Sequence, residues 1–290
     1  MKIRNVTQII RGHYTMDGAG VKLYRVFGGT EIATITDPFL LLDHFGSNNP
    51  LDYIAGFPWH PHRGIETVTY MLKGRVKHED STGLSGVIET GDIQWMTAGS
   101  GIFHQEMPQL NADGELYGFQ LWVNIPMRNK MKKPVYRNLK AQNIPQITLD
   151  NGAKIKLMSG NINDTKGPIK DLSIDIEYID VTLPPETHFI KQVKDGNTVL
   201  LYIIDGSTIV DGRKVQEKDL VVFSRNGELV SIKASDRPLR FLFLSGQPLH
   251  EPIAWYGPIV MNYDYEILEA IQELRNGTFI KTQANVEDIE

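Results

Sequence analysis

Residues 60–74 read HPHRGIETVTYMLKG and residues 192–206 read QVKDGNTVLLYIIDG, and the two strings superpose without a gap. Gly64 meets Gly196, Tyr70 meets Tyr202, and Gly74 meets Gly206. A second pair follows, IETGDIQWMTAGSGIFHQE over residues 88–106 and VQEKDLVVFSRNGELVSIK over residues 215–233, in which Asp92 meets Asp219. Shared glycines that punctuate hydrophobic runs at similar separation mark a duplicated supersecondary unit. The unit is built of strands. Short runs rich in Val, Ile, Thr, Tyr and Phe recur at residues 67–72, 92–96, 116–124, 178–183, 199–204 and 239–245, with Gly and Asn/Asp between them. That spacing predicts an all-β chain made of two tandem jelly rolls or small barrels.

The expected division is an N-terminal domain at 1–136 and a C-terminal domain at 137–290, with the boundary in the Lys/Arg/Pro-containing stretch 127–145. One short helix is expected near the end. Ile267, Ile271 and Leu274 recur at i, i+4, i+7, with Asp264 as the N-cap and Gly277 as the stop. The polar residues 282–290 read as a frayed tail.

Composition removes several function classes. The chain has no cysteine, which excludes disulfides, thiolate metal sites and cysteine nucleophiles together. Thirty basic residues against 35 acidic ones give a net charge of −5, the wrong balance for direct nucleic-acid binding. The basic cluster Arg128, Lys130, Lys132, Lys133, Arg137 and Lys140 has no aromatic interleaving and reads as a solvated linker. No apolar run is long enough for a membrane-spanning helix, and the charged start at 1–5 has no apolar stretch behind it. The expectation is a cytoplasmic protein.

The histidines carry the chemistry. His60-Pro61-His62 and His104-Gln105-Glu106 each place two donor side chains at i and i+2, on one face of an extended segment. The turn Ala98-Gly99-Ser100-Gly101 would let 92–96 fold back against 102–106. Three imidazoles and one carboxylate suit iron, manganese, nickel, copper or zinc, with two positions left on an octahedral ion. Glu66, four residues beyond His62, also has the parity to face inward, so strand geometry alone does not separate Glu66 from Glu106. In the gapless superposition, His60, His62, His104 and Glu106 meet Gln192, Lys194, Ser231 and Lys233. The second copy keeps the glycines and loses the ligands, so one metal in the N-terminal half is expected.

The segments GFPWHPHRGIETVTY (56–70) and GDIQWMTAGSGIFHQE (91–106) closely resemble the signature stretches of the pirin family of the cupin superfamily. DPFLLLD (37–43) and GQPLHEP (246–252) look like further landmarks of that family, and together the four span most of the chain. The resemblance implies a bicupin with a degenerate second half and His60, His62, His104 and Glu106 as ligands of one mononuclear divalent metal, iron(II) by family habit. It implies either of two roles. One is a flavonol (quercetin 2,3-) dioxygenase that uses O2 and releases carbon monoxide, with Glu106 as proton acceptor. The other is a non-catalytic, iron-responsive regulator that binds a transcription factor or enzyme as protein partner. A monomer is expected, because a duplicated chain satisfies internally some pairing that single cupins obtain by dimerising.

The remaining side chains have plainer readings. Glu66 is read as a group bracing a ligand imidazole, His78 as surface, and His44 as structural. Trp59, Trp95, Phe57 and Met96 are read as core. Arg63 is thin support for a phosphate site.

Overall fold

The computed structural model describes residues 1–289. Every strand expected from the sequence is present, and the chain forms two compact units. They do not follow a single cut near residue 136. One unit comprises Met1–Gly12, Ile35–Pro38 and Gln142–Pro248, and the other His13–Thr34, Phe39–Ala141 and Leu249–Glu290. Strand pairing explains the exchange at the N-terminus. Val6–Arg11 pairs antiparallel with Asp219–Phe223 and becomes the edge of the C-terminal sheet.

The unit built on residues 142–248 has a seven-stranded sheet in the order Val6–Arg11, Asp219–Phe223, Thr198–Asp205, Leu239–Gly246, Ile176–Leu183, Lys154–Ser159, Gln146–Thr148. Its interior is apolar, with Phe189, Val230, Ile232, Phe241 and Phe243 all buried in one cluster. The other unit has an eight-stranded sheet in the order His13–Asp17, Val21–Gly28, Phe39–Ser47, Leu116–Asn124, Ile65–Lys73, Ile93–Thr97, Val135–Leu139, Asn285–Ile289. A four-stranded sheet, Phe57–His62, Ile102–Gln109, Arg75–Asp80, Ser85–Glu89, packs on it. Leu23, Phe45 and Met71 of the large sheet meet Val76 and Ile88 of the small one.

The duplication is visible in the backbone. Gly64 and Gly196 have φ of 77° and 84°, and Gly74 and Gly206 have 87° and 88°. Asp92 accepts from the backbone N–H of Glu89 at 3.1 Å, and Asp219 accepts from that of Gln216 at 3.0 Å. Tyr70 and Tyr202 are both fully buried. The gapless superposition of the ligand strands does not survive, however. The inward residues of the second copy are Phe189, Lys191, Val230 and Ile232, while Gln192 and Lys233 are exposed. Met96 and Ile102, buried in one cluster, lie six residues apart, whereas Phe223 and Val230, buried in the other, lie seven apart. One extra residue reverses strand parity. The buried positions of the second copy therefore differ from those that the superposition pairs with the ligand motifs.

Three sequence readings are corrected here. The helix runs Asp264–Asn276, with Tyr263 in the cap position and Glu266 accepting from the backbone N–H groups of Asn262 and Tyr263. Asp264 is thus the first helical residue, and Gly277 closes the helix in the left-handed conformation (φ 69°) as expected. The tail is not frayed throughout, because Asn285–Ile289 pairs parallel with Val135–Leu139. Nor is the basic stretch a linker. Arg137 is buried in the strand Val135–Leu139, and Lys130 is fully buried with its Nζ donating to Gly64 O, Asn124 Oδ1 and Val260 O at 2.7–2.8 Å.

Lys130 stitches the turn before the strand Ile65–Lys73 to the segment near Val260. Burial pushes its ammonium down to about 7, while three oxygen acceptors call for all three of its N–H donors. Replacing Lys130 by Met leaves three buried acceptors unpartnered, at ~1–3 kcal/mol each. The expected result is a loss of about 3 kcal/mol in urea unfolding, and a loss below 1 kcal/mol would show the clamp to be incidental. Gly64 completes the same joint. A Cβ there would stand 2.0 Å from Val260 O at a φ of 77°, so Gly64→Ala is expected to lower Tm by several degrees, roughly 2–4 °C per kcal/mol lost.

Candidate metal centre

The strands Phe57–His62 and Ile102–Gln109 run antiparallel, with Ile102 opposite His62, Phe103 opposite Pro61, and His104 opposite His60. That register brings the two i, i+2 motifs face to face. One ligand atom from each of His60, His62 and His104 lies within 4.8 Å of the others. The three rings stand 4.5–5.0 Å apart between centroids, tilted or edge-on. His60 Nδ1 is 2.8 Å from Pro58 O and His62 Nδ1 is 3.2 Å from Pro258 O, so both Nδ1 atoms are placed to donate to carbonyls. Their Nε2 atoms then carry lone pairs, and these face each other at 3.1 Å. Two lone pairs at that separation repel unless a cation lies beside them.

His104 shows the same need. It is buried, and neither of its ring nitrogens has a hydrogen-bond partner among the described residues. Buried polar atoms are nearly always satisfied, so a ligand is the economical explanation. Burial holds His62 and His104 well below the usual imidazole range, with neighbouring histidines adding to the effect. Both rings are therefore neutral and available as donors to a metal. The donor set fits a divalent ion of the first transition row.

Glu106 is placed on the same face of its strand as His104, although its carboxylate is not within the three-histidine set. Thr69 Oγ1 lies 3.1 Å from Glu106 Oε1 and 2.7 Å from the side-chain amide of Gln120. One hydroxyl proton serves only one acceptor. Thr69 therefore donates to Glu106 if the Gln120 amide turns its N–H toward Thr69. Burial pushes the Glu106 carboxyl up, opposed by His60 and Thr69.

Glu66 accepts from two side chains of the strand Ile93–Thr97. It is fully buried, accepting from Trp95 Nε1 at 2.7 Å and from the Thr97 hydroxyl at 3.1 Å. The parity reading from His62 fails because Gly64, at positive φ, interrupts the strand between them. Thr69, an odd-numbered neighbour in Ile65–Lys73, faces the site instead. Arg63 is buried and committed. It donates to Ser100 O and Phe279 O at 2.8 Å, pairs with Glu273 at 2.6 Å, and lies over the Phe279 ring.

A cavity of about 640 Å³ opens onto His60, His62 and Glu106. Its walls include Phe57, Trp59, Trp122 and Trp255, with Arg25 and its carboxylate partners Asp43 and Asp17 on another side. Trp59 is 50% exposed rather than core, and Phe57 is half-buried, whereas Trp95 and Met96 are buried as expected. His44 packs on Phe119. His78 is buried, not on the surface. Thr69, Gln120, Trp122 and Trp255 were not singled out from sequence. Polar residues at alternate positions in otherwise apolar strands, Thr67 and Thr69, were the available signal; nothing local marks Trp255.

Two jelly rolls, one with an apolar core and one opening on a histidine cluster, define a bicupin. Residues 20–123 match the Pirin domain and residues 178–280 match the Pirin C-terminal cupin domain. The chain belongs to the pirin family. It is 43% identical to a pirin-like protein of Caulobacter vibrioides over 96% of this chain and all of that one. The crystal structure of a quercetin 2,3-dioxygenase from Acinetobacter baumannii matches with a TM-score of 0.90 at 35% identity, covering 96% of this chain and 99% of that one. A bacterial pirin from Escherichia coli, solved in complex with nickel(II), shares the fold at a TM-score of 0.63 and 20% identity, over 83% and 98% of the two chains. Among the described residues no helix is long and apolar enough to cross a membrane.

Proposed function

We propose that His60, His62, His104 and Glu106 hold one divalent metal, iron(II) in the first instance, and that the protein cleaves flavonols such as quercetin with O2 and release of carbon monoxide. The observation that carries this reading is the convergence of three imidazoles, one with both nitrogens unpartnered, beside an aromatic-walled cavity. A bound metal supplies Lewis acidity, which lowers the pKa of a hydroxyl oxygen on the ring to be opened. The protein's own groups do the rest. Glu106, its carboxyl raised by burial, takes the proton of the substrate's enolic hydroxyl, and Thr69 holds the accepting carboxylate in place. Trp59, Trp122 and Trp255 supply flat apolar surfaces suited to a polycyclic aromatic ring. The small-molecule reading also draws on the name of the Acinetobacter relative.

The test is aerobic turnover of quercetin by iron-, manganese- and nickel-loaded protein, followed by loss of flavonol absorbance and by oxygen uptake. Turnover by at least one metal form supports the reading. No turnover by any form, together with metal-dependent capture of a defined protein partner, would replace it with the regulatory role.

A further inference from the structure

One row of polar side chains runs across the inner face of the eight-stranded sheet. Arg25 stands opposite Asp43, Asp43 opposite Gln120, and Gln120 opposite Thr69, on four successive strands. All four line the aromatic cavity, and the Thr69 end of the row touches Glu106. The flanking rows are apolar, with Leu23 opposite Phe45 on one side and Leu41 opposite Trp122 on the other. Three strand spacings of about 4.8 Å put the backbones of Arg25 and Thr69 roughly 14 Å apart. A ligand of several rings can lie along that row.

The Arg25 end of the row is rigidly built. Arg25 donates from Nε to Asp43 Oδ1 at 2.9 Å and from Nη2 to Asp43 Oδ2 at 2.8 Å, a two-point pairing. Nη2 also donates to Asp17 Oδ2 at 2.8 Å, and the Gly18 N–H holds Asp17 Oδ1 at 2.7 Å. These bonds use three of the five guanidinium N–H groups. The two on Nη1 have no acceptor among the described residues. Asp43 is buried, whereas Arg25 keeps a quarter of its side chain exposed. Stability gives little reason for such a pair, since apolar residues in place of a buried ion pair are often neutral or stabilising. The cavity gives a better one, because a few fixed polar groups in an apolar pocket orient a ligand.

We infer that Arg25 and Asp43 are a specificity-determining pair that selects ligands carrying a phenolic hydroxyl at their end of the cavity. The hydroxyl oxygen accepts from Arg25 Nη1–H, and its proton is donated to Asp43, whose oxygens each keep a further lone pair. The sign of the charge narrows the class. Two carboxylates, Asp17 and Asp43, face one guanidinium, so this end carries a net negative charge. A ring bearing a sulfate or carboxylate there is repelled, and a neutral hydroxyl is not. The inference rests on the reading of the cavity as a flavonol site and names the ring substituent that such a site favours.

The test uses flavones, which lack the enolic hydroxyl and so report binding without turnover. Calorimetry on the metal-loaded wild type is expected to show luteolin, hydroxylated on both ring systems, binding at least about tenfold tighter than unsubstituted flavone. The double variant Arg25→Met, Asp43→Leu leaves no lone charge buried in the pair. In it the ratio is expected to fall to within about twofold, with flavone itself bound as in the wild type. Crystals of the wild type with luteolin give a second measurement that does not depend on the variant folding. A hydroxyl oxygen within hydrogen-bonding distance of Arg25 Nη1 and of Asp43 is expected. The inference is overturned if luteolin binds no tighter than flavone, if the folded double variant keeps the ratio, or if no hydroxyl reaches the pair. Tighter binding of a luteolin sulfate ester than of luteolin overturns it too, by making Arg25 an anion site. The two readings fail separately. Selective luteolin binding without quercetin turnover removes the dioxygenase and keeps the pair, whereas turnover with equal binding of luteolin and flavone removes the pair alone.

Discussion

Glu106→Gln lowers quercetin turnover by roughly 10²–10⁴-fold, the range by which a positioned general base contributes. Glutamine keeps the size of the side chain and can still accept from Thr69 through its carbonyl oxygen. It cannot take a proton from the substrate hydroxyl. The expected pattern is a fall in kcat with KM for quercetin nearly unchanged, because the aromatic walls that bind the ring are untouched. Metal content has to be measured on the same sample, since Glu106 is also proposed as a ligand. A variant that holds iron and turns over within threefold of the wild type would remove Glu106 from the chemistry.

His104→Ala abolishes metal uptake. Removing a group that merely supports a ligand already costs 10–100-fold in affinity, so loss of a ligand costs at least ~100-fold. Elemental analysis of protein dialysed against micromolar iron is the measurement, with His44→Ala as the control because His44 packs on Phe119 and is not one of the clustered histidines. Equal metal content in His104→Ala and wild type would dissolve the proposed centre. The histidines also set a pH dependence in the metal-free protein. His62 and His104 have folded pKa values below the usual 6.5, so below about that pH the unfolded chain binds more protons than the folded one. The stability of the metal-free protein therefore declines as pH falls from about 6.5. A thermal midpoint that stays level from pH 7.5 to pH 5 would contradict the buried, neutral state of the two rings.

Much of the architecture was legible before any coordinates. Gly64, Gly74, Gly196 and Gly206 recur because the strand-to-strand joints of both copies need a positive φ. Ile267, Ile271 and Leu274 spell out one helical face because the period of 3.6 is local. The legible part ends where pairing is long-range. The C-terminal tail reads as polar coil, yet Asn285–Ile289 becomes a strand by pairing with Val135–Leu139, some 150 residues away in sequence. Lys130 reads as a surface cation until two distant carbonyls, of Gly64 and Val260, join nearby Asn124 around it.

By itself the sequence determined the duplication, the strand-built fold and the histidine motifs, because spacing along an extended chain dictates which side chains share a face. Only the tertiary structure placed Thr69, Gln120 and Trp255 around the candidate site. It also showed that the second copy presents a different set of residues inward. The reason is parity. A left-handed glycine or one extra residue in a turn reverses the side to which every following side chain points, and only the assembled sheet records which reversals occurred.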